Sequence, residues 1–309
     1  MKSVINFFIT LLVIIIFFYC FYLLDKLENF ENKRKFAVMW ASTLNVGDDF
    51  QTLAAINLLE KNNINEYTYI DREKLKEYDG EPVHLIANGW YMHDITKFPP
   101  SDKITPIFIS VYIDNPLIVS NNVEYFKKYE PIGCRDMSTK KLFEKYGIKS
   151  YLSRCLTLCF DEHNKKTDNI YVVDIEGSNG GKSFNDVKIN LNSNNVKYIK
   201  HNHEEIIKHK LDIKKRLEIA RDLLDKYREA KLVITSRLHA TLPCRAFNTD
   251  VKFLHSNYNT DKRFIGLHDV LNGSNNPVIE EIPSKIERSV INKYKNDINI
   301  KFKELINSN

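Results

Sequence analysis

Residues 233–247, VITSRLHATLPCRAF, join a short β-branched run to a helix-like apolar pattern, with Arg237 and His239 where the two meet. In an α/β fold this junction is the carboxyl end of a strand and the start of a helix, where ligands bind. The helix N-terminus favours an anion, and Arg237 adds a fork of donors. His239 exchanges a proton near neutral pH, so the junction indicates chemistry on an acidic substrate. The alternative is a histidine that only packs in the core.

The rest of the chain alternates strand-like and helix-like segments, which predicts an α/β fold with parallel sheets. Strands are expected at 35–42, 67–70, 83–87, 107–113, 132–134, 155–158, 170–175, 196–199, 232–236 and 251–254. Helices are expected at 48–61, 138–146, 205–230, 238–247, 264–271 and 284–308. A polar segment at 161–169 divides the pattern into Rossmann-like domains over 35–160 and 161–283, followed by a C-terminal helix over 284–309. Two such halves imply a cleft between them.

An apolar run over residues 4–24 predicts a transmembrane helix, and a charged tether follows it to residue 34. About 20 apolar residues are enough to cross a bilayer. The run ends in Tyr19, Phe21 and Tyr22, which suit a membrane interface better than the small residues of a cleaved signal peptide. Lys2 alone precedes the run and four basic residues follow it by position 35. This asymmetry predicts a single-pass protein whose soluble part lies in the cytoplasm.

Composition excludes several classes of function. The formal charge of +5 comes from 45 basic and 40 acidic residues, with no basic run that interleaves aromatics, so nucleic acid is not an expected partner. Five cysteines, one of them inside the apolar run, do not form a disulfide framework. Asp174, Glu176, His201 and His203 are the possible metal ligands, but they lack a further ligand at a fixed spacing, so no metal site is predicted.

A second junction lies at residues 45–51, NVGDDFQ, between the first strand and the first helix. Gly47 permits a tight turn there, and the helix exposes free N–H groups. Asn45, Gly47 and Asp48 are therefore candidate cleft residues. The alternative is that Asp48 or Asp49 only caps the helix.

A third junction lies at residues 132–139, IGCRDMST, with Ser138 or Thr139 available as the helix cap. Arg135 at the end of this strand would share one polyanion with Arg237. The alternative is a surface ion pair between Arg135 and Asp136. Elsewhere, Trp90 follows the strand at 83–87 and would either stack on a sugar ring or cover the edge of the sheet.

These segments, in this order, resemble the polysaccharide pyruvyl transferase family over about residues 36–271. The family motifs Asn-x-Gly-Asp, Gly-x-Arg-Asp-x-x-Thr and Ser-Arg-Leu-His correspond here to residues 45–48, 133–139 and 236–239. The resemblance implies two Rossmann-like lobes, similar to the GT-B glycosyltransferases. One departure is the segment Ala87-Asn88-Gly89-Trp90, where many members have a glycine-rich run.

The resemblance also implies transfer of a pyruvyl group from phosphoenolpyruvate to two sugar hydroxyls, giving a ketal, without a cofactor. Arg135 and Arg237 would hold the carboxylate and phosphate of the donor, beside Ser236 and Leu238. His239 would act as acid or base, protonating the methylene carbon. The acceptor, a sugar of a polysaccharide or other glycan, would lie against Asn45, Gly47, Asp48 and Trp90.

Two other functions are compatible with the same sequence. A nucleotide-sugar-dependent GT-B-type glycosyltransferase would use the arginines to bind a diphosphate. A non-catalytic, glycan-binding membrane protein would keep the fold without the reaction.

Overall fold

The structure of the protein is a computed structural model, which describes residues 13–22, 34–175, 188–189, 195–202, 211–275, 278–279 and 285–308. The chain forms two compact units, residues 1–35 and residues 36–309. Both large sheets belong to the second unit.

The described part of the first unit contains a helix over residues 13–22. Within the residues that the structure describes, no helix is long and apolar enough to cross a membrane. The rest of the predicted span, residues 4–12 and 23–24, and the tether to residue 33 lie outside the described residues. The anchor and its orientation therefore stay predictions.

Six parallel strands form the first sheet, in the order β2-β1-β3-β4-β5-β6. They are β1 (Phe36–Trp40), β2 (Tyr67–Asp71), β3 (Val83–Tyr91), β4 (Ile104–Ile113), β5 (Ile132–Cys134) and β6 (Ser150–Leu152). The helices between them are α1 (Val46–Glu60), α2 (Leu117–Ser120), α3 (Val123–Lys128) and α4 (Met137–Lys145). Strands buried on both faces need apolar side chains throughout, and β1 is accordingly FAVMW.

Four parallel strands form the second sheet, in the order β11-β10-β7-β9. They are β7 (Ile170–Val173), β9 (Val196–Ile199), β10 (Leu232–Thr235) and β11 (Asp250–Phe253), and the short strands β8 (Lys188–Ile189) and β12 (Val278–Ile279) pair with each other. The helices are α5 (Ile213–Glu229), α6 (Leu238–Ala246), α7 (His268–Leu271) and α8 (Arg288–Ser308). The prediction of an α/β fold with parallel sheets is confirmed.

Three expectations about individual elements are wrong. The strand expected at 155–158 is a 3₁₀ turn, Leu156–Cys159; this segment is apolar because it packs into the core, not because it pairs in a sheet. The strand expected to stop at residue 87 continues to Tyr91, after an irregularity at Gly89, whose φ is 85°. The helix expected at 264–271 is a 3₁₀ turn, Lys262–Phe264, followed by α7.

One hydrophobic core spans both sheets. It joins Val38 of β1 and Phe50 of α1 to Val233 of β10, and Phe302 of α8 completes it. All four side chains are fully buried. Because the helices of both sheets share this core, residues 36–309 form one compact unit. The proposed division at 160 and 283 stays a prediction.

Candidate functional site

A cavity of about 740 Å³ lies at the carboxyl ends of strands from both sheets. Strand order changes direction between β1 and β3 in the first sheet and between β7 and β10 in the second. Such switch points leave a crevice for ligands in α/β folds. All the residues that the sequence singled out as candidate site residues line this cavity: Asn45, Gly47, Asp48, Trp90, Arg135, Ser236, Arg237, Leu238 and His239.

The loop after β1 brings the Asn-x-Gly-Asp motif, residues 45–48, against the Ser-Arg-Leu-His motif, residues 236–239. Asn45 caps α1, because its Oδ1 accepts a hydrogen bond of 3.1 Å from the N–H of Gly47. The alternative that Asp48 or Asp49 only caps the helix is therefore wrong. A Cβ on Gly47 would lie 3.3 Å from Cβ of His239, so glycine permits the close approach of these two motifs. The carboxylate of Asp48 accepts hydrogen bonds from Thr43 (2.6 Å) and Gln51 (3.3 Å).

Asp49, the neighbour of Asp48, points away from the cavity lining and holds the two sheets together. It forms a buried, bidentate ion pair with Arg216 of α5, with N–O distances of 3.1 and 2.9 Å. Nη1 of Arg216 donates to the carbonyl of Thr43 at 2.7 Å. The guanidinium of α5 thus fixes the loop that carries Asn45 and Asp48.

Arg135 directly follows β5, and its side chain is buried in the wall of the cavity. Its guanidinium lies 4.2 Å from the centroid of the Tyr112 ring, and its Nε lies 3.6 Å from Oδ2 of Asp136. Among the described residues, neither of these two buried atoms has a hydrogen-bond partner. Asp136 caps α4 through the N–H of Thr139 at 2.9 Å. The alternatives of a surface ion pair and of a Ser138 or Thr139 cap are both wrong.

Arg237 occupies the N-cap position of α6 without making a side-chain cap. Its Nε donates to Asp174 at 3.0 Å, and the side chain is 36% exposed, so much of the guanidinium remains available. Ser236 beside it donates to the carbonyl of Asp174 at 2.5 Å. An uncapped helix start next to an arginine favours an anionic ligand.

His239, in the first turn of α6, presents a neutral imidazole. Burial lowers its pKa well below the usual range, and the charges of Arg135 and Arg263, with His201 nearby, lower it further. Within the described part of the chain its buried Nε2 has no hydrogen-bond partner. His239 is one of the residues that line the cavity, so the alternative of a histidine that only packs in the core is wrong.

A second histidine, His201, is fully buried and also lines the cavity. Its Nε2 is 2.9 Å from the hydroxyl of Tyr227, and its backbone N–H donates to Asp174 at 2.9 Å. Burial, with the charge of Arg237, lowers the pKa of His201 to about 3. The described residues contain no cluster of three or more potential metal ligands; Glu176 and His203 lie outside them.

Sequence reasoning missed the residues that the loop after β11 contributes. This loop places His255, Asp261, Lys262, Arg263 and Phe264 in the cavity lining. Nε and Nη2 of Arg263 pair with Asp261 at 3.0 and 2.5 Å. Lys262 forms an ion pair of 2.7 Å with Asp114, which follows β4. The basic pair Lys262-Arg263 is a usable signal in the sequence, but it lies between the strand expected at 251–254 and the helix expected at 264–271 and does not directly follow either.

Trp90 belongs to β3 and forms one wall of the cavity. The guanidinium of Arg72, which is buried, lies 4.9 Å from the Trp90 ring centroid. The ring of His93, another lining residue, is 4.5 Å away and perpendicular. Glu73 accepts hydrogen bonds from Arg72 at 2.9 Å and pairs with His93 at 3.0 Å. The aromatic ring is therefore held firmly at the cavity edge.

The geometry defines a class: an α/β protein whose two parallel sheets meet at a cavity lined with arginines and with two histidines, His201 and His239, of lowered pKa. A sequence model of the polysaccharide pyruvyl transferase family matches residues 45–251. The chain belongs to this family, since the match covers more than half of its length and contains all three motifs.

No curated protein sequence matches the chain significantly. Among solved structures, the chain is similar to that of an uncharacterized protein from Klebsiella pneumoniae, with 18% sequence identity and a TM-score of 0.43. The similarity covers 78% of this chain and 91% of that one.

Proposed function

We propose that the protein transfers the pyruvyl group of phosphoenolpyruvate to two hydroxyls of a glycan sugar, forming a cyclic ketal and releasing phosphate. The observation that carries this proposal is the convergence of Arg135, Arg237 and His239 on one cavity, although they belong to different sheets. Membership of the family supports the reaction class.

The reaction needs two hydroxyl protons to be moved and one phosphate to leave. The oxygen of the first hydroxyl bonds to C2 of the donor, while the methylene carbon gains a proton and becomes a methyl group. The oxygen of the second hydroxyl then bonds to C2, and the bond between C2 and the bridging oxygen of the phosphate breaks. The two hydroxyl protons end on the methyl group and on the released hydrogen phosphate.

The neutral imidazole of His239 suits this order of reaction steps. An imidazole that is neutral before the reaction accepts the proton of the attacking hydroxyl and delivers it to the methylene carbon. Binding of an anion offsets the charges of Arg135 and Arg263, which otherwise depress the pKa of His239. The donor therefore stabilises the imidazolium that forms during the transfer.

The acceptor would lie on the side of the cavity formed by the first sheet. Asp48 and Asn45 supply polar oxygens for sugar hydroxyls, and Trp90 supplies an aromatic surface. Aromatic rings pack against the apolar face of a sugar. Asn45, Gly47, Asp48 and Trp90 are therefore assigned to the acceptor and Arg135, Ser236, Arg237 and Leu238 to the donor.

The direct test is incubation of the full-length chain, in detergent, with labelled phosphoenolpyruvate and a panel of glycans. Phosphate release with a pyruvylated product in mass spectra is expected, and its loss in His239→Asn. His268→Asn, at an exposed histidine outside the cavity lining, is the matched control and should keep full activity. Absence of product with every acceptor, or full activity of His239→Asn, contradicts the proposal. Thermal stabilisation by UDP or GDP alone would instead favour a nucleotide-sugar donor.

We further propose that residues 4–24 anchor the enzyme and that the catalytic part is cytoplasmic, where phosphoenolpyruvate is made. The apolar run and the basic residues after it support this arrangement. Retention in the membrane fraction after alkaline carbonate washing is expected, together with loss of retention when residues 1–24 are deleted. Extraction by carbonate, or protease cleavage of the body from the outer face of intact cells, would overturn it.

A further inference from the structure

We propose that Arg263 is a third donor-binding arginine, which together with Arg135 holds the phosphoryl group while Arg237 holds the carboxylate. This inference rests on the proposed function, since it assigns the parts of the same donor to particular side chains.

Arg263 is placed close to Arg135 by the fold. Arg263 reaches the cavity from the loop after β11, and Arg135 reaches it from the end of β5 in the other sheet. The charges of both arginines act on the imidazole of His239. Arg237 pairs with Asp174 at 3.0 Å, and the same carboxylate accepts a hydrogen bond from the backbone N–H of His201 at 2.9 Å. The cations thus divide into a pair around His239 and a single arginine beside His201.

The guanidinium of Arg263 is preorganised by its neighbours. The carboxylate of Asp261 accepts hydrogen bonds from the backbone N–H of Arg263 at 2.9 Å and from its Nε at 3.0 Å. The loop is tied to the first sheet by the bond from the N–H of Met137 to the carbonyl of Ile265, at 2.9 Å. A guanidinium held in this way loses little conformational freedom when an anion binds.

Arg263 and Arg135 both retain hydrogen-bonding capacity for a ligand. Asp261 engages Nε and Nη2 of Arg263, so Nη1 lies outside this pairing, and the side chain is 40% exposed. Arg135 is buried next to Asp136 without a direct hydrogen bond from Nε among the described residues. Planar guanidinium groups bind phosphate oxygens through paired N–H donors.

The number of guanidinium groups also matches the parts of the donor. A phosphoryl group carries about two negative charges at neutral pH and a carboxylate carries one. Two guanidiniums beside His239 match the phosphoryl group, and the single guanidinium of Arg237 matches the carboxylate. Arg263 and Arg237 are each also paired with an aspartate, Asp261 and Asp174. The phosphate would then leave from a place next to the proton-transferring imidazole.

The test is a calorimetric titration of the full-length chain with phosphoenolpyruvate, inorganic phosphate and pyruvate. For Arg263→Gln we expect affinity for phosphoenolpyruvate and phosphate to fall about tenfold to a hundredfold, the value of a charged hydrogen bond. Affinity for pyruvate should stay unchanged. Arg263→Lys keeps the positive charge without the paired N–H donors of a guanidinium, so its affinity for phosphoenolpyruvate and phosphate should fall less than that of Arg263→Gln. Arg221→Gln, at an exposed arginine of α5 outside the lining, is the control for net charge and should bind as the wild type.

Each outcome decides between the two proposals. Wild-type affinity for phosphoenolpyruvate and phosphate in Arg263→Gln overturns the role of Arg263 and leaves the proposed function intact. An equal loss for pyruvate overturns the division of the donor between the arginines. If the wild type binds phosphate but not phosphoenolpyruvate, the proposed function fails, and weaker phosphate binding in Arg263→Gln still supports the anion site. Binding of none of the three compounds overturns both.

Discussion

Arg216 and Arg135 are equally buried, each 3% exposed, but their surroundings differ. Arg216, behind the cavity, donates to both oxygens of Asp49 and to the carbonyl of Thr43. Arg135, at the cavity, packs on Tyr112, and its Nε has no hydrogen-bond partner among the described residues. One guanidinium is satisfied within the protein and the other is not.

This difference separates a structural arginine from a binding arginine. A buried charge is costly unless it is paired and hydrogen-bonded. Arg216 meets that cost with Asp49 and joins the two sheets. Arg135 keeps donor capacity for a ligand, so its stabilising partner is the acidic substrate. Substitution of Arg216 should therefore lower the stability of the protein, whereas substitution of Arg135 should lower its activity.

The largest expected effect is on stability, from Arg216→Met. The change leaves the carboxylate of Asp49 buried without its partner, which should lower the free energy of unfolding by about 3–5 kcal/mol. Denaturant unfolding measures the loss. The double variant Arg216→Met with Asp49→Leu removes both charges and should recover most of the stability. A loss below about 1 kcal/mol in the single variant would show that the pair is not a structural tie.

The next effect is on activity, from Arg135→Met. Removal of a donor to the reacting anion should reduce kcat/KM by about 10²–10³, which is about 2.7–4 kcal/mol of transition-state stabilisation. Stability should stay the same or rise, because an incompletely paired buried charge disappears. Steady-state kinetics and denaturant unfolding on the same preparation check both halves. Unfolding at lower denaturant with unchanged activity would reverse the assignment of the two arginines.

A smaller effect is expected on the pH dependence of anion binding. The pKa of the imidazole of His239 is held low by burial and by the charges of Arg135 and Arg263. An anion that offsets these charges raises this pKa. In the pH range between the pKa of the free protein and that of the complex, binding therefore takes up protons and affinity rises as the pH falls; a rise of one pKa unit is worth about 1.4 kcal/mol. Calorimetry in buffers of different ionisation enthalpy measures the uptake. His239→Asn corrects for the donor's own titration, and equal uptake in both proteins would rule out His239 as the group.

The smallest effect is expected on stability, from an exposed ion pair in the cavity lining. Lys262 and Asp114 form an ion pair of 2.7 Å in which both side chains are more than half exposed. Such pairs contribute less than about 1 kcal/mol and are screened by salt. Lys262→Gln should therefore change the free energy of unfolding by less than Arg216→Met does. At high salt, Lys262→Gln and the wild type should have the same free energy of unfolding. A loss as large as that of Arg216→Met would mean that this pair holds the sheets together.

The sequence predicted the parallel sheets because buried strands leave a local pattern. Residues 36–40 and 232–235 are almost entirely apolar, and turns or helix starts follow them. The pattern failed at 155–158, because an apolar segment packed in the core has the same composition as a strand. It also failed at Gly89, where the backbone irregularity lets β3 continue past the expected end.

The same reasoning explains which site residues were found. Arg135, Arg237 and His239 directly follow predicted strands, and parallel sheets bring the ends of their strands to one edge. Arg263 follows β11 only after a loop, and Arg216 lies on a helix far from any motif. Their roles depend on contacts with Asp261 and Asp49, and no local pattern reveals the tie between Arg216 and Asp49, which are distant in sequence.

The most direct test of the account is the affinity of the full-length chain for phosphoenolpyruvate, measured by calorimetry in the wild type and in Arg135→Met. The account predicts saturable binding by the wild type and binding weaker by about a hundredfold in the variant. Equal affinities, or no binding by the wild type, would contradict the claim that this buried guanidinium is kept for an acidic donor.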